Sequence, residues 1–397
     1  MTATWLTASE SAERLGVSRA TLYAYVSRGL IRSAEGPDGR QRRYRQDDVE
    51  ALRERKAVRA RQAVAARAMS FGTPVLESAL SLIADGRLYY RGEDVAGLAV
   101  SASLEDVARL LWQADARAFA AANRPPRARA FARAWEAVAS LAPLDRCLAL
   151  LPHAAALDAE IWSLDPDALR LTGARLLRLL AAIVVGRPPS SEPVDAVLGS
   201  AWHLDADAQR LVRAALVLCA DHELNASTFA ARVVASTGAS AYAVVSAGLA
   251  ALSGPRHGGQ AAQVAALVDA AAAAGDVDAV LRTRVRQGLG VPGFGHKLYP
   301  DGDIRAKVLL GMLDGLRPEP PALPLMKELA VAGEAVTGQA PNLDVSLAAV
   351  ERVLALPPGA ALSLFLLGRS VGWIAHMLEQ AERPDIIRPR AHYVGRR

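Results

Sequence analysis

Cysteine is nearly missing from this chain. Only Cys147 and Cys219 occur in 397 residues, far apart and in apolar surroundings. That excludes a disulfide framework and any zinc-ligand spacing, and it fits a reducing compartment. Long hydrophobic runs are also lacking. Hydrophobic residues make up 52% of the sequence, but the excess is mostly alanine, which suits closely packed helices. Charged residues interrupt every stretch that approaches the roughly 20 residues of a membrane span. The opening residues, MTATWLTASESAERL, lack the basic-then-apolar layout of a signal peptide. A cytoplasmic protein is expected, long enough for two or three domains. There is no P-loop, no dinucleotide-binding glycine fingerprint, no H-E-x-x-H and no internal repeat. Lysine is scarce too, with four against 42 arginines, a skew read as compositional bias.

The charge that is present lies unevenly. Residues 1–67 hold 14 Lys+Arg and 8 Asp+Glu, a net of +6; the whole chain carries +5, so the other 330 residues carry −1. A basic segment beside a near-neutral body suggests a separate module with an acidic partner, nucleic acid first among the candidates. Its local chemistry is that of two short helices. Thr7 and Glu10 form a capping box for the first, with Ala12 and Leu15 facing inward, and Gly16 ends it. Ser18 caps the second, whose inward face is Leu22 and Val26, and Gly29 ends it. "GVSRATLYAYVSRGLI" followed by "GRQRRYRQDDVEAL" resembles the winged helix-turn-helix of MerR-type regulators. The resemblance implies that Ser18, Arg19, Thr21 and Tyr23 lie on a DNA-facing helix and that Arg40, Arg42, Arg43 and Tyr44 lie on a wing against the backbone. The other reading is the same fold reused for protein binding or dimerisation. From about residue 48 a charged helical run leads onward as a linker.

The remaining residues read as helix after helix. Apolar positions recur at intervals of three and four in 104–113, 147–158, 208–220, 261–274 and 345–356. One short stretch, SLIADGRLYYRG, suits a hairpin turning on Asp85-Gly86. Alternating β-branched runs are almost absent, so the polar chemistry must come from scattered positions gathered by a helical scaffold.

Seven histidines are few enough to take singly. His222, His257 and His296 each stand beside small, flexible or capping residues, the last in the stiff loop GVPGFGHKLYPDGDIRA. Histidines at helix breaks, without metal-ligand spacing, suit acid–base work. His153, His203, His376 and His392 lack that setting and read as structural or surface groups. Asp344, just past a Pro-Asn turn, reads as the N-cap of a helix when taken alone.

Taken together, "ESALSLIADGRLYYRGEDVAGLA", "ADHELNAST", "SGPRHGGQ", "VPGFGHKLYPDGDIRA", "APNLDVSLAAV", "GRSVGWIAHMLEQ" and "IIRPRAHYVG" resemble, in order, the motifs of the citrate synthase family, over residues 70–397. The resemblance implies an all-α fold in which a large and a small helical domain follow the small winged helix-turn-helix. The implied bounds are 1–67 for the helix-turn-helix and linker, 68–258 and 353–397 for the large domain, and 259–352 for the small one. It further implies a homodimer with shared active sites, and condensation of acetyl-CoA with oxaloacetate to citrate. No cofactor would be held permanently, the CoA thioester being a co-substrate. By resemblance Asp344 is the base, His257 bonds the thioester oxygen and His296 the ketone oxygen. His222, Arg305, Arg369 and Arg388 bind the dicarboxylate, with Arg388 supplied by the partner subunit. Val291, Gly293, Gly295 and Lys297 border the CoA. The chain departs from the family pattern at Asp303-Ile304-Arg305, Arg256, Gln260-Ala261, Lys297 and the segment after Asp344. A 2-methylcitrate synthase using propionyl-CoA is the neighbouring reading. A reading of another class is a DNA-binding regulator whose synthase portion senses a metabolite.

Overall fold

The computed structural model describes residues 4–36, 41–54, 56, 76–120, 129–391 and 393–396. Arg40, most of the linker and His392 fall outside them. The chain divides into two compact units, Met1–Glu77 with Arg390–Arg397, and Ser78–Pro389.

The first unit follows its caps. Thr7 and Glu10 make the reciprocal capping box of the helix Ala8–Leu15, which closes on Gly16 in the left-handed region. Ser18 caps the helix Arg19–Ser27. Strands Trp5–Leu6 and Ser33–Glu35 flank Arg42–Arg45, both antiparallel to it. Leu6, Leu15, Leu22, Ile31, Tyr44 and Val49 form a core separate from the rest of the protein. Side chains alternate across a strand, so the buried Tyr44 sets the pattern. Arg42 shares its face, whereas Arg43 and Arg45 point the other way. The wing arginines therefore do not form one row.

The second unit is built on one helix. Ala360–Ala381 is buried along nearly its whole length. Among the described residues it alone is long and apolar enough to cross a membrane, and 94% of its most apolar window is covered by protein. It packs against the helices Pro166–Val185, Ala206–Cys219, Ala226–Ala235 and Ala241–Leu252. The approach of Ala360–Ala381 to the end of Ala206–Cys219 is close enough to demand glycine: a Cβ on Gly372 would lie 2.3 Å from the Ala220 carbonyl oxygen.

The expected hairpin is present, Ser81–Ala84 with Arg87–Tyr90. Asp85 and Gly86 both have positive φ, as a two-residue type I′ turn requires. Its strands cradle the turn after Ala206–Cys219. The Ser81 hydroxyl donates to Asp221 at 2.5 Å and accepts the Glu223 amide at 3.0 Å. Tyr90 Oη accepts the Asp221 amide at 3.1 Å. Further along, Gly259–Ala274, Ile304–Asp314 and Leu323–Thr337 all pack with Leu343–Val353 or with one another.

Candidate active site

Each site residue is held by a local device. His222 lies on the turn just described, and Glu223 after it adopts a positive φ of 49°, rare for a side chain of that size. Its ring is buried, and its Nε2 meets the Tyr299 hydroxyl at 3.0 Å. Burial first, then the charges of Arg305 and Arg369, hold its pKa well below the ordinary value, so the ring is neutral.

His257 stands just before the helix Gly259–Ala274. Its Nε2 lies 2.8 Å from the Ser227 hydroxyl, which also accepts the Trp373 indole N–H at 3.2 Å. The Ser227 proton has two acceptors in range, His257 Nε2 and the Asn225 side-chain oxygen at 2.8 Å. When it goes to Nε2, the ring proton sits on Nδ1, the nitrogen left for a ligand. Burial, with Arg369 second, lowers the His257 pKa to about 4.

His296 lies in the glycine-rich loop, and its Nδ1 accepts the Leu298 amide at 3.2 Å. The neutral ring therefore carries its proton on Nε2. Burial and then Arg305 lower its pKa to about 4, against Asp303. The loop is stitched to the segment before Asp344. Gly295 N–H donates to the Ala340 carbonyl at 2.8 Å, the Asn342 amide donates to the Gly293 carbonyl at 2.8 Å, and Asn342 Nδ2 reaches the Gly295 carbonyl at 3.1 Å. These backbone groups, expected to border a ligand, are thus already engaged inside the protein. Gly293 is buried, and a Cβ there would strike Val345 at 2.4 Å. Val291 is half-buried and Lys297 exposed.

Asp344 is not the helix cap. Asn342 is: its side chain accepts the Asp344 amide at 3.0 Å, and Asp344 is the second residue of Leu343–Val353. Asn342 takes the cap because its amide and Nδ2 are already fixed by the loop. The Asp344 carboxylate is left unspent. Burial raises its pKa to about 7, with Arg305 pulling it down and Asp303 pushing it up.

Two buried guanidiniums complete the group. Arg305 is gripped by Asp303 through Nε at 2.9 Å and Nη2 at 2.8 Å. Arg369 donates Nε to the Cys219 carbonyl at 2.7 Å and stacks 4.7 Å from the Phe365 ring. Its Nη2 is buried and has no hydrogen-bond partner among the described residues, an exposed demand for an acceptor such as a carboxylate. Phe365 also sets its ring edge-on to His257, 5.7 Å between centroids.

The structure links these positions through the two guanidiniums: Arg305 is within electrostatic range of His222, His296, Asp344 and Arg369, and Arg369 is within range of His222 and His257. It does not bring in Arg388, which is exposed on the extended stretch after the last helix. Ser227, Tyr299, Asn342 and Phe365 are additional members that sequence reasoning did not single out, and Asp303, noted there beside Arg305, is given no site role by it. His376, expected to be structural, is buried between Arg232, 3.0 Å from its Nδ1, and the Asp221 carboxylate at 3.4 Å. Among the described residues no group of three or more His, Cys, Asp or Glu side chains could hold a metal ion. The chemical capacity is proton removal near neutral pH by a buried carboxylate, with neutral imidazoles and two buried guanidiniums suited to an anionic ligand.

Comparisons with known proteins agree on the architecture. The family model for the citrate synthase C-terminal domain matches residues 69–390, and one for a helix-turn-helix domain matches 5–57. A citrate synthase of Haloferax volcanii is 34% identical over 360 residues, 82% of this chain and 94% of its own. The Putative citrate synthase 2 of Mycobacterium tuberculosis is 35% identical over 202 residues, 49% of this chain; the match spans about half, 54%, of that relative's length. Curated relatives include 2-methylcitrate synthases. Among solved structures, the citrate synthase of Thermoplasma acidophilum in ternary complex with carboxymethyl coenzyme A and oxaloacetate superposes with a TM-score of 0.71 at 25% identity. It covers 82% of this chain and 95% of its own.

Proposed function

Because this chain belongs to the citrate synthase family, we propose that it condenses acetyl-CoA with oxaloacetate to give citrate and free CoA. Asp344 takes a proton from the thioester methyl group, and His257 Nδ1–H stabilises the enolate oxygen. The new carbon nucleophile attacks the ketone carbon of oxaloacetate, and His296 Nε2 passes a proton to the ketone oxygen. Water then cleaves the citryl thioester and releases the thiol of CoA. Arg305, Arg369 and His222 hold the dicarboxylate, Arg369 through its partnerless Nη2. The observation that carries the reading is Asp344, a buried carboxylate at a helix start whose pKa is raised to about 7 within electrostatic reach of Arg305. A carboxylate of ordinary pKa would be a weaker base, and one raised much further would be protonated at neutral pH. Arg388, exposed here, completes the site from the partner subunit of a homodimer in this reading. Residues 259–352 form the small domain that closes over the ligands, and Val291 and Lys297 stand at the CoA entrance.

Thiol release measured with oxaloacetate and either acetyl-CoA or propionyl-CoA tests this. Faster release with acetyl-CoA is expected; faster release with propionyl-CoA reassigns the substrate to the 2-methylcitrate reaction. No release with either overturns the enzyme reading and favours a metabolite sensor.

The basic unit adds a DNA contact to the proposal. Arg14, Arg32 and Arg45 are paired with Glu50, Asp48 and Asp47. Arg19, Arg42 and Arg43 have no ion pair among the described residues, and Tyr23 is exposed on the second helix. These are the groups free to meet phosphates and base edges. Ser18 and Thr21 are tied to each other at 2.9 Å and shape the helix start. Binding of a two-fold dimer to a palindromic duplex, weakening steeply with salt, is the expected behaviour.

A further inference from the structure

Tyr299 belongs to no motif role assigned above, yet it touches three groups of the proposed substrate site. It follows His296 by one turn, its amide donating to the His296 carbonyl at 2.9 Å. Its ring lies 5.1 Å from the His296 ring and 5.5 Å from the Arg305 guanidinium. Its hydroxyl meets His222 Nε2 at 3.0 Å. The residue is 2% exposed. Burial pushes the phenol pKa upward, so the hydroxyl keeps its proton. A buried phenol requires a partner, and a buried ring nitrogen does too. Here each satisfies the other.

The placement of the partners gives this bond its meaning. His222 stands on the turn after Ala206–Cys219, held by the hairpin through Asp221 and Glu223. His296, Tyr299 and Arg305 stand on the loop and helix start near residue 300, held to the 340–343 segment. The phenol bridges two stretches of chain that have separate supports.

We propose that Tyr299 is a positioning residue for the 2-oxo dicarboxylate: its hydroxyl latches the His296 loop onto His222 and so sets the spacing of the groups that grip that substrate. The inference rests on the condensation reading above, and it concerns the keto acid alone. The supports of Asp344 and His257, which are Asn342 and Ser227, do not pass through the phenol.

Steady-state kinetics and oxaloacetate calorimetry on the full chain test it, with Tyr299→Phe keeping the ring contacts and removing only the hydroxyl. One lost hydrogen bond that leaves a buried acceptor unpaired corresponds to roughly a tenfold change in binding. The expected result is a KM and a Kd for oxaloacetate raised about tenfold, with the KM for the acyl-CoA changed less than about threefold. An unchanged oxaloacetate Kd overturns the proposal. So does a parallel rise of both KM values, which marks a general loss of structure. If Tyr299→Phe does not fold, Tyr299→Leu, which also lacks the hydroxyl and stays apolar, takes its place with the same reading. Calorimetry separates this from the enzyme assignment. A wild-type chain that binds oxaloacetate but releases no thiol refutes catalysis, and the Kd comparison then still decides the role of Tyr299.

Discussion

Asp303 grips Arg305 with both carboxylate oxygens, at 2.9 and 2.8 Å, and the same carboxylate accepts the Leu343 amide at 3.1 Å, one residue before Asp344. One buried acid thus orients the Arg305 guanidinium and fixes the start of the helix that carries Asp344. Asparagine keeps one acceptor oxygen and loses the two-pronged grip. Asp303→Asn is expected to raise the oxaloacetate KM about tenfold or more. It also removes a negative charge that pushes the Asp344 pKa up. The acid limb of the kcat profile is expected to move to lower pH, and a limb that stays in place or moves up refutes this coupling.

In the proposed condensation Asp344 sets the pH dependence. A base works deprotonated, and burial raises the Asp344 pKa to about 7. Activity is expected to rise with pH through the neighbourhood of 7 and then level. Asp344→Asn should lose about 10²- to 10⁴-fold in kcat while calorimetric oxaloacetate affinity is retained. Near-normal turnover in that variant would remove Asp344 from the mechanism.

Gly295 has φ of +78°, and a Cβ there would sit 1.9 Å from the Gln339 side-chain oxygen. Gln339 can swing away, but the backbone strain of about 1–3 kcal/mol remains. Gly295→Ala is expected to lower kcat about 10- to 100-fold by displacing His296, with a smaller change in melting temperature than a core truncation gives. An alanine variant with full activity would show that the loop tolerates the shift.

Glu105 gives a pH-dependent stability unrelated to the active site. Burial raises its pKa to about 7. One carboxylate oxygen accepts the Val194 amide at 2.8 Å, and the other has no hydrogen-bond partner among the described residues. The folded pKa lies above the unfolded value of 4.5, so its favourable, protonated state is fully present below about 4.5. That contribution is lost as pH rises through 7. Glu105→Gln is expected to match wild type near pH 5 and to exceed it by about 1–2 kcal/mol at pH 8. Melting curves across that range check it, and a constant offset between the two proteins contradicts it.

For the basic unit the contrast lies between neighbours on one strand face. Arg43 has no ion pair among the described residues, whereas Arg45 is paired with Asp47 at 3.3 Å. In gel-shift titrations Arg43→Ala should weaken binding to all sequences alike and lower the salt slope by about one, and Arg45→Ala should change less. Arg19→Ala should relax sequence preference instead. Equal effects of Arg43→Ala and Arg45→Ala would mean that the ion pair does not decide availability.

Features governed by local chemistry were legible in the sequence. The Thr7–Glu10 box, the Ser18 cap and the Asp85-Gly86 turn depend on residues within three or four positions, and each formed as read. The six histidine, arginine and aspartate positions that converge were legible only through motif order, because helix packing gathers them from across 148 positions of sequence. Asp344 and Asn342 are both good caps, and a tertiary bond from Asn342 to Gly295 decided between them. Ser227 beside His257, 30 residues apart, had no sequence signal at all. The facing of the wing arginines likewise depends on strand register, fixed by Tyr44 in the core.

Asn342 takes part in three bonds, one local and two to another segment: its oxygen holds the Asp344 amide, its side-chain N–H holds the Gly295 carbonyl, and its backbone N–H holds the Gly293 carbonyl. Asp344 and the loop of His296 are therefore mounted on one bracket. Loss of the Asn342 side chain is expected to loosen Asp344 and the His296 loop together, while Ser227 and Phe365 still hold His257 in place.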